Sequence, residues 1–164
     1  MTALFNIILT HSGNISDFKL INSKQKVFHF PMIKIKYFDD IKIKNIYSYD
    51  FAIFSSKNSV EAFTKLKNKK KYKFKALCVG NKIKKKLELN GIQTHFTSSN
   101  SYKKNFIKEI LDLDIMKNKK TIYFAGNLSD NYIEKSLEKK YNIKRINIYE
   151  TKKNNQKNYQ LTNL

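Results

Sequence analysis

From residue 50 to residue 150, short apolar runs alternate with longer segments that mix apolar and charged positions. The apolar runs predict five strands, at 50–56, 74–80, 92–99, 120–126 and 142–153. The intervening segments predict four helices, at 59–67, 81–91, 101–116 and 130–141. Apolar strands joined by helices usually form a parallel sheet that is covered on both faces. We therefore expect a doubly wound α/β domain with a five-stranded parallel sheet.

The first 50 residues and the tail have a different organisation. Residues 4–10 predict a buried strand, residues 14–23 a weak helix and residues 26–38 an extended segment. Pro31 suits an edge strand or a strand entry, because proline has no backbone N–H to donate. The residues after 153 are polar and predict a loose tail.

The chain is strongly basic, with 33 Lys and Arg against 13 Asp and Glu in 164 residues, a formal net charge of +20. Such a charge suggests an anionic partner: nucleic acid, an anionic membrane surface or a polyanionic small molecule. However, the basic residues are scattered and nearly all are lysine, which is typical of a solvated surface. Lysines interleave with aromatic residues at 65–75, so a nucleic-acid-binding domain remains an alternative, although a less favoured one.

Several classes of site are excluded or disfavoured by residue counts. Cys78 is the single cysteine, so neither a disulfide nor a cysteine zinc site is expected, and a reducing cytoplasm fits. The three histidines have no metal-ligand spacing. No segment approaches the ~20 apolar residues of a membrane span. We expect a cytoplasmic protein with no metal site and no membrane partner.

Small polar residues follow the predicted strands. In parallel sheets, ligands bind at the carboxyl ends of the strands. Exposed backbone N–H groups at such ends and at helix starts can hold anions. The residues concerned are Ser55, Ser56, Gly80, Ser98, Ser99, Gly126 and Asn127.

Helix capping is the competing interpretation of the same residues. In the turn at 55–58, serine and asparagine are ordinary N-cap residues, and Glu61 stands three positions after Asn58, as in a capping box. Gly80 fits a turn glycine, and Ser98 and Ser99 could cap a helix. Capping and anion binding are compatible, so both remain open.

Five segments resemble one known family in their order and spacing. They begin with an apolar strand, continue with a strand-to-helix signature at 49–63 and end with a Tyr-Glu-Thr strand. The segments are IILTHSG (7–13), YDFAIFSSKNSVEAF (49–63), ALCVGNKIKKKLELNGIQTHF (76–96), IYFAGNLSDNYIEKSLEKK (122–140) and INIYETK (146–152). Together they resemble the uroporphyrinogen-III synthase family. His11-Ser12 and Ser55 depart from its pattern, where Arg-Pro and Thr are common.

The resemblance implies two α/β domains joined by a two-stranded linker. Residues 1–35 would open domain one, and residues 36–148 would form the linker strand and a flavodoxin-like domain two. Residues 149–164 would be the return strand and tail. Much of domain one would then be missing, so we expect either a second chain that completes it or a truncated, inactive remnant.

The resemblance also implies a reaction, the cyclisation of hydroxymethylbilane to uroporphyrinogen III with loss of water and inversion of ring D, without a cofactor. Tyr149 is the expected catalytic residue, as a weak acid that assists departure of the hydroxyl; the alternative is a packed hinge aromatic. The substrate-binding residues expected are Ser55, Ser56, Asn58, Gly80, Ser98, Ser99, Gly126 and Asn127.

Overall fold

A computed structural model of the chain describes residues 7–13, 26–67, 72–155 and 160–163. The helix predicted at 14–23 lies outside the described residues. Internal contacts divide the chain into a larger unit, Tyr37–Glu150, and a smaller unit, Met1–Lys36 with Thr151–Leu164. No helix in the described part of the chain is long and apolar enough to cross a membrane.

The described residues form nine strands and four α-helices, numbered along the chain. The strands are β1 (Ile7–Leu9), β2 (Lys26–His29), β3 (Ile33–Tyr37), β4 (Phe51–Phe54), β5 (Lys75–Cys78), β6 (Thr94–Thr97), β7 (Lys120–Gly126), β8 (Asn142–Lys153) and β9 (Gln160–Asn163). The helices are α1 (Lys57–Lys65), α2 (Asn81–Glu88), α3 (Lys103–Leu113) and α4 (Tyr132–Leu137).

The large sheet has the order β3-β8-β7-β4-β5-β6, and neighbouring strands from β4 to β8 are parallel. The prediction of five parallel strands with helical connections is confirmed. The flavodoxin-like order is wrong. Counted along the chain, the parallel strands lie in the order 3-2-1-4-5, whereas a flavodoxin-like sheet has 2-1-3-4-5. The apolar pattern could not show this, because a strand covered on both faces has the same pattern in either order.

The segment at 26–38 is two strands rather than one. It breaks at 30–32, around Pro31, and β2 joins a different sheet from β3. The Phe38 N–H donates to the Ile148 carbonyl (3.1 Å), and the Asn154 N–H donates to the Met32 carbonyl (3.0 Å). Strand β3, the sixth strand of the large sheet, is therefore antiparallel to β8.

The core of the larger unit lies between the sheet and its helices. The central strands β4 and β7 have continuous buried stretches, including Phe54 and Phe124, which are 0% exposed. These two rings pack 5.4 Å apart, and Phe63 of α1 lies 5.7 Å from Phe54 and 5.4 Å from Phe124. Aromatic burial of this kind stabilises the sheet at its centre and holds the ends of β4 and β7 together.

The smaller unit contains a three-stranded sheet in the order β1-β2-β9. Strand β1 pairs parallel to β2, and β9 pairs antiparallel to β2. The prediction of a loose tail is therefore wrong for 160–163. Polar composition argues against a buried strand, but it does not prevent backbone pairing at a sheet edge.

Candidate functional site

The chain passes from β4 to α1 through Ser55 and Ser56. Ser56 has extended backbone geometry, and its hydroxyl oxygen accepts the Ser59 N–H at 3.0 Å. The Ser59 hydroxyl donates back to the Ser56 carbonyl at 2.7 Å. Ser56 is therefore the N-cap of α1, and the predicted capping box of Asn58 with Glu61 is wrong, because Asn58 already lies inside the helix.

Two serine–tyrosine pairs meet at this turn, and we call them the hydroxyl cluster: Ser55, Ser56, Tyr123 and Tyr149. The Ser55 and Tyr123 hydroxyls are 2.8 Å apart, and the Ser56 and Tyr149 hydroxyls are 3.2 Å apart. Tyr123 is 0% exposed and Tyr149 is 6% exposed. Burial raises the pKa of Tyr123, so this hydroxyl is neutral at physiological pH.

The sequence analysis missed Tyr123. Its position in a run of buried residues made it one more core aromatic. The available signal was its hydroxyl, because a buried tyrosine usually requires a hydrogen-bond partner.

Gly126 lies against the Tyr149 ring. The pairing of β7 with β8 shifts here: Ala125 pairs with Asn147, and Gly126 pairs with Tyr149. This bulge leaves Ile148 between the two pairs and brings Tyr149 beside Gly126. A Cβ added to Gly126 would overlap Cε2 and Cζ of the tyrosine ring. The space beside Gly126 is thus occupied by Tyr149.

Asn127 also contacts Tyr149, because its N–H donates to the Tyr149 carbonyl at 3.3 Å. Three of the predicted residues, Ser56, Gly126 and Asn127, therefore contact the predicted catalytic tyrosine directly. Together with the hydroxyl cluster, they form one continuous group at the carboxyl ends of β4 and β7, beside Tyr149 of β8.

A second group lies at the ends of β5 and β6. The Gly80 N–H donates to the buried Ser98 hydroxyl oxygen (3.0 Å), which donates to the Asn100 carbonyl (2.6 Å). Gly80 has φ +81°, which disfavours any residue with a side chain. The Ser99 N–H and hydroxyl both donate to the Glu109 carboxylate. The donors of Gly80, Ser98 and Ser99 are thus engaged within the protein.

Tyr37 and the ion pair of Glu61 with Lys86 form a group that the sequence analysis also missed. The Glu61 carboxylate accepts Lys86 Nζ at 2.8 Å, and this bond is the main cause that lowers the pKa of Glu61. Burial, followed by the interaction with Glu61 and the nearby Tyr149, raises the pKa of Tyr37 to about 12. Lys65 Nζ lies 4.4 Å from the centre of the Tyr37 ring. Tyr37 therefore remains a protonated donor at neutral pH.

The chemistry open to the hydroxyl cluster and the neighbouring backbone N–H groups is that of hydrogen-bond donors. Among the described residues, no group of three or more His, Cys, Asp or Glu could hold a metal. Cys78 is buried in β5 with its sulfur 3.3 Å from Thr97 Oγ1, and burial raises its pKa, so it is a poor nucleophile. Hydroxyls and backbone N–H groups in this arrangement can orient an anionic ligand and supply a weak acid.

Fold and site together define a doubly wound α/β protein whose candidate site consists of neutral donors at the carboxyl edge of a parallel sheet. The chain belongs to the uroporphyrinogen-III synthase family. The family model described as "Uroporphyrinogen-III synthase HemD" matches residues 19–164, which is most of the sequence.

Solved structures agree in fold. Uroporphyrinogen-III synthetase from Helicobacter pylori superposes with a TM-score of 0.66 at 20% identity, covering 92% of this chain and 63% of that one. A mutant uroporphyrinogen III synthase from Thermus thermophilus gives 0.54 at 12% identity, covering 93% and 64%. The chain therefore spans less than two thirds of either structure. A comparison with curated proteins gives no significant match.

Proposed function

We propose that the chain is a uroporphyrinogen-III synthase, which cyclises hydroxymethylbilane to uroporphyrinogen III with loss of water and inversion of ring D. The observation that carries this proposal is the family match over residues 19–164. The candidate site supports it, because ring closure of this substrate needs orientation and a weak acid and no metal or nucleophile. The enzyme would act in the cytoplasm in heme biosynthesis.

In the proposed mechanism, Tyr149 donates a proton to the departing hydroxyl of the substrate. Departure leaves a delocalised cation, so little acid strength is needed and a tyrosine hydroxyl suffices. Ser56 and Gly126 support this role, because one bonds the Tyr149 hydroxyl and the other lies against its ring. The remaining contribution to catalysis is that the site positions the two ends of the linear substrate, which favours attack with ring inversion over simple closure.

The substrate is a polycarboxylate, and we propose that its carboxylates bind at the strand ends of the larger unit. The N–H groups of Lys57 and Asn58 suit this role, since the first N–H groups of a helix have no intrahelical acceptor and the Ser59 N–H already donates to Ser56. Ser55, Ser56 and Asn127 would border the same position. Ser99, Ser98 and Gly80 would shape the neighbouring edge, because their donors already have partners. The charge of +20 would favour encounter with such an anion.

We also propose that residues 36–148 correspond to domain two of the family. The other residues, 1–35 and 149–164, would belong to domain one. Because the chain spans less than two thirds of the solved relatives, a second chain or further residues of a longer polypeptide would complete domain one.

Product analysis tests the proposed activity. Freshly prepared hydroxymethylbilane is incubated with the purified protein, and the oxidised isomers are separated by chromatography. We expect isomer III above the control without protein, and a loss of about 100-fold in kcat for Tyr149→Phe, near the low end for a general acid. Tyr47→Phe, which alters an exposed tyrosine, is the matched control. Isomer I alone from the unmodified protein would make this chain an inactive remnant or an incomplete half, and unchanged kcat in Tyr149→Phe would exclude the tyrosine from catalysis.

A further inference from the structure

Arg145 of β8 is the single arginine of the chain. Its five N–H donors are all engaged. Nε donates to Asn147 Oδ1 at 3.1 Å. Nη1 donates to the Asp130 carbonyl at 3.0 Å and to Glu134 Oε1 at 2.6 Å. Nη2 donates to the carbonyls of Gly126 at 2.9 Å and Ser129 at 2.8 Å.

This arrangement removes Arg145 from anion binding. An arginine at the site edge of a basic protein is the natural first choice for a substrate carboxylate. Here the Glu134 carboxylate neutralises the guanidinium, and both side chains are largely buried, at 21% and 14% exposure. No donor remains for a ligand. The role of the side chain therefore depends on the groups that accept its hydrogen bonds.

Those groups are the carbonyls of the turn at 126–130, which follows β7. Gly126 and Ser129 also close the turn on themselves: the Gly126 N–H donates to Ser129 Oγ at 3.1 Å, and the Ser129 N–H donates to the Gly126 carbonyl at 3.1 Å. Arg145 ties this turn to β8, the strand that carries Tyr149. It thereby fixes the two sides of the contact between Gly126 and the Tyr149 ring.

We propose that Arg145 is a positioning residue, whose guanidinium locks the 126–130 turn against Tyr149 and so holds the Tyr149 hydroxyl at Ser56. The consequence for catalysis rests on the proposed synthase function; the positioning itself does not. Lysine cannot replace this residue, because an ammonium is a point charge with three donors and cannot bridge three carbonyls, an amide and a carboxylate in one plane.

A spectroscopic test separates positioning from general stability. Protein labelled with 3-fluorotyrosine is studied by fluorine NMR, with the Tyr149 and Tyr141 resonances assigned from their loss in Tyr149→Phe and Tyr141→Phe. We expect Arg145→Lys to shift or broaden the Tyr149 resonance and leave Tyr141 unchanged. Lys140→Ala is the matched control. It removes an ion pair of 2.9 Å to Asp114 beside Tyr141, and should affect Tyr141 alone. An unmoved Tyr149 resonance in folded Arg145→Lys would overturn the proposal.

A kinetic test uses the isomer III assay. We expect Arg145→Lys to lower kcat at least tenfold, while KM changes by less than about threefold, because the loss falls on the transition state. Millimolar guanidinium should restore part of the activity of Arg145→Ala, whereas methylammonium at equal ionic strength should not. Equal rescue by both cations would show that Arg145 contributes only its charge, which would contradict the positioning role. If the unmodified protein forms no isomer III, the proposed function fails, while the NMR result still decides the positioning.

Discussion

At the scale of single residues, Gly126 shows how the site is built. Its φ is not in the left-handed region, unlike that of Gly80 and Gly91, so the backbone alone would accept any residue. The ring of Tyr149 is what excludes a side chain. The Tyr149 ring can lie in this position because residue 126 has no side chain.

We therefore expect Gly126→Ala to destabilise the protein by about 1–3 kcal/mol, because the new methyl group displaces the tyrosine ring. In a Tyr149→Ala background the same change should be neutral or stabilising by about 0.4–1 kcal/mol, since alanine lowers the entropy of the unfolded chain. Urea unfolding of the four proteins gives this double-mutant cycle. Equal costs in both backgrounds would show that the ring is not the obstacle.

At the scale of elements, α1 links several parts of the larger unit. Its first turn is capped by Ser56, and Phe63 packs into the aromatic core. Glu61 connects it to Lys86 of α2 and to Tyr37 of β3. Because α1 is held at its start and along its length, the Ser55–Ser56 turn has a fixed position. The proposed role of the Ser56 and Tyr149 hydroxyls requires this.

The Tyr37 contact predicts a specific response to alkali. The pKa of Tyr37 is raised from 10.0 to about 12, so the unfolded chain loses this proton first. The contribution of Tyr37 to stability is therefore complete below pH 10 and is lost as the pH rises towards 12. In urea unfolding at several pH values in that window, Tyr37→Phe should lose stability less steeply than the unmodified protein. The Tyr47→Phe control should follow the unmodified protein, and parallel curves for Tyr37→Phe would contradict the assignment.

At the scale of the whole molecule, the two units differ in how much they bury. The larger unit contains the five parallel strands β4 to β8, whose central members are almost fully buried, whereas the smaller unit contains the sheet of the three short strands β1, β2 and β9. Local stability follows burial of apolar groups and protected hydrogen bonds. We therefore expect the unit that carries the candidate site to be the more stable of the two.

Hydrogen exchange should reveal this difference directly. We expect the slowest amides in β4, β5 and β7, and faster exchange in β2 and β9, because the latter open without disrupting the large core. Mass spectrometry of peptides from the exchanging protein measures both regions in one experiment. Equal protection in the two sheets would mean that the chain unfolds as one cooperative body.

The sequence predicted the elements of the larger unit better than their arrangement. The strand runs at 50–56, 74–80 and 120–126 and the helices that follow them were found, because burial and helical periodicity are local properties. The family was found as well, since its motifs follow one another along the chain. Tyr149 and Ser56 were singled out in this way, and the structure places their hydroxyls within hydrogen-bond distance.

Other features depended on residues far apart in the chain. The strand order, the division of 26–38 between two sheets and the pairing of 160–163 with β2 are decided by which neighbours a backbone meets. The same holds for side chains. Tyr123 meets Ser55 across 68 positions, and Arg145 meets the 126–130 turn only because β7 and β8 lie side by side. Local sequence determined which segments form strands and helices and which carry polar groups at their ends, because both follow from nearest neighbours along the chain. The tertiary structure alone decided which of those groups are already satisfied by the protein and which remain for a ligand, because hydrogen bonds are directional and short-ranged.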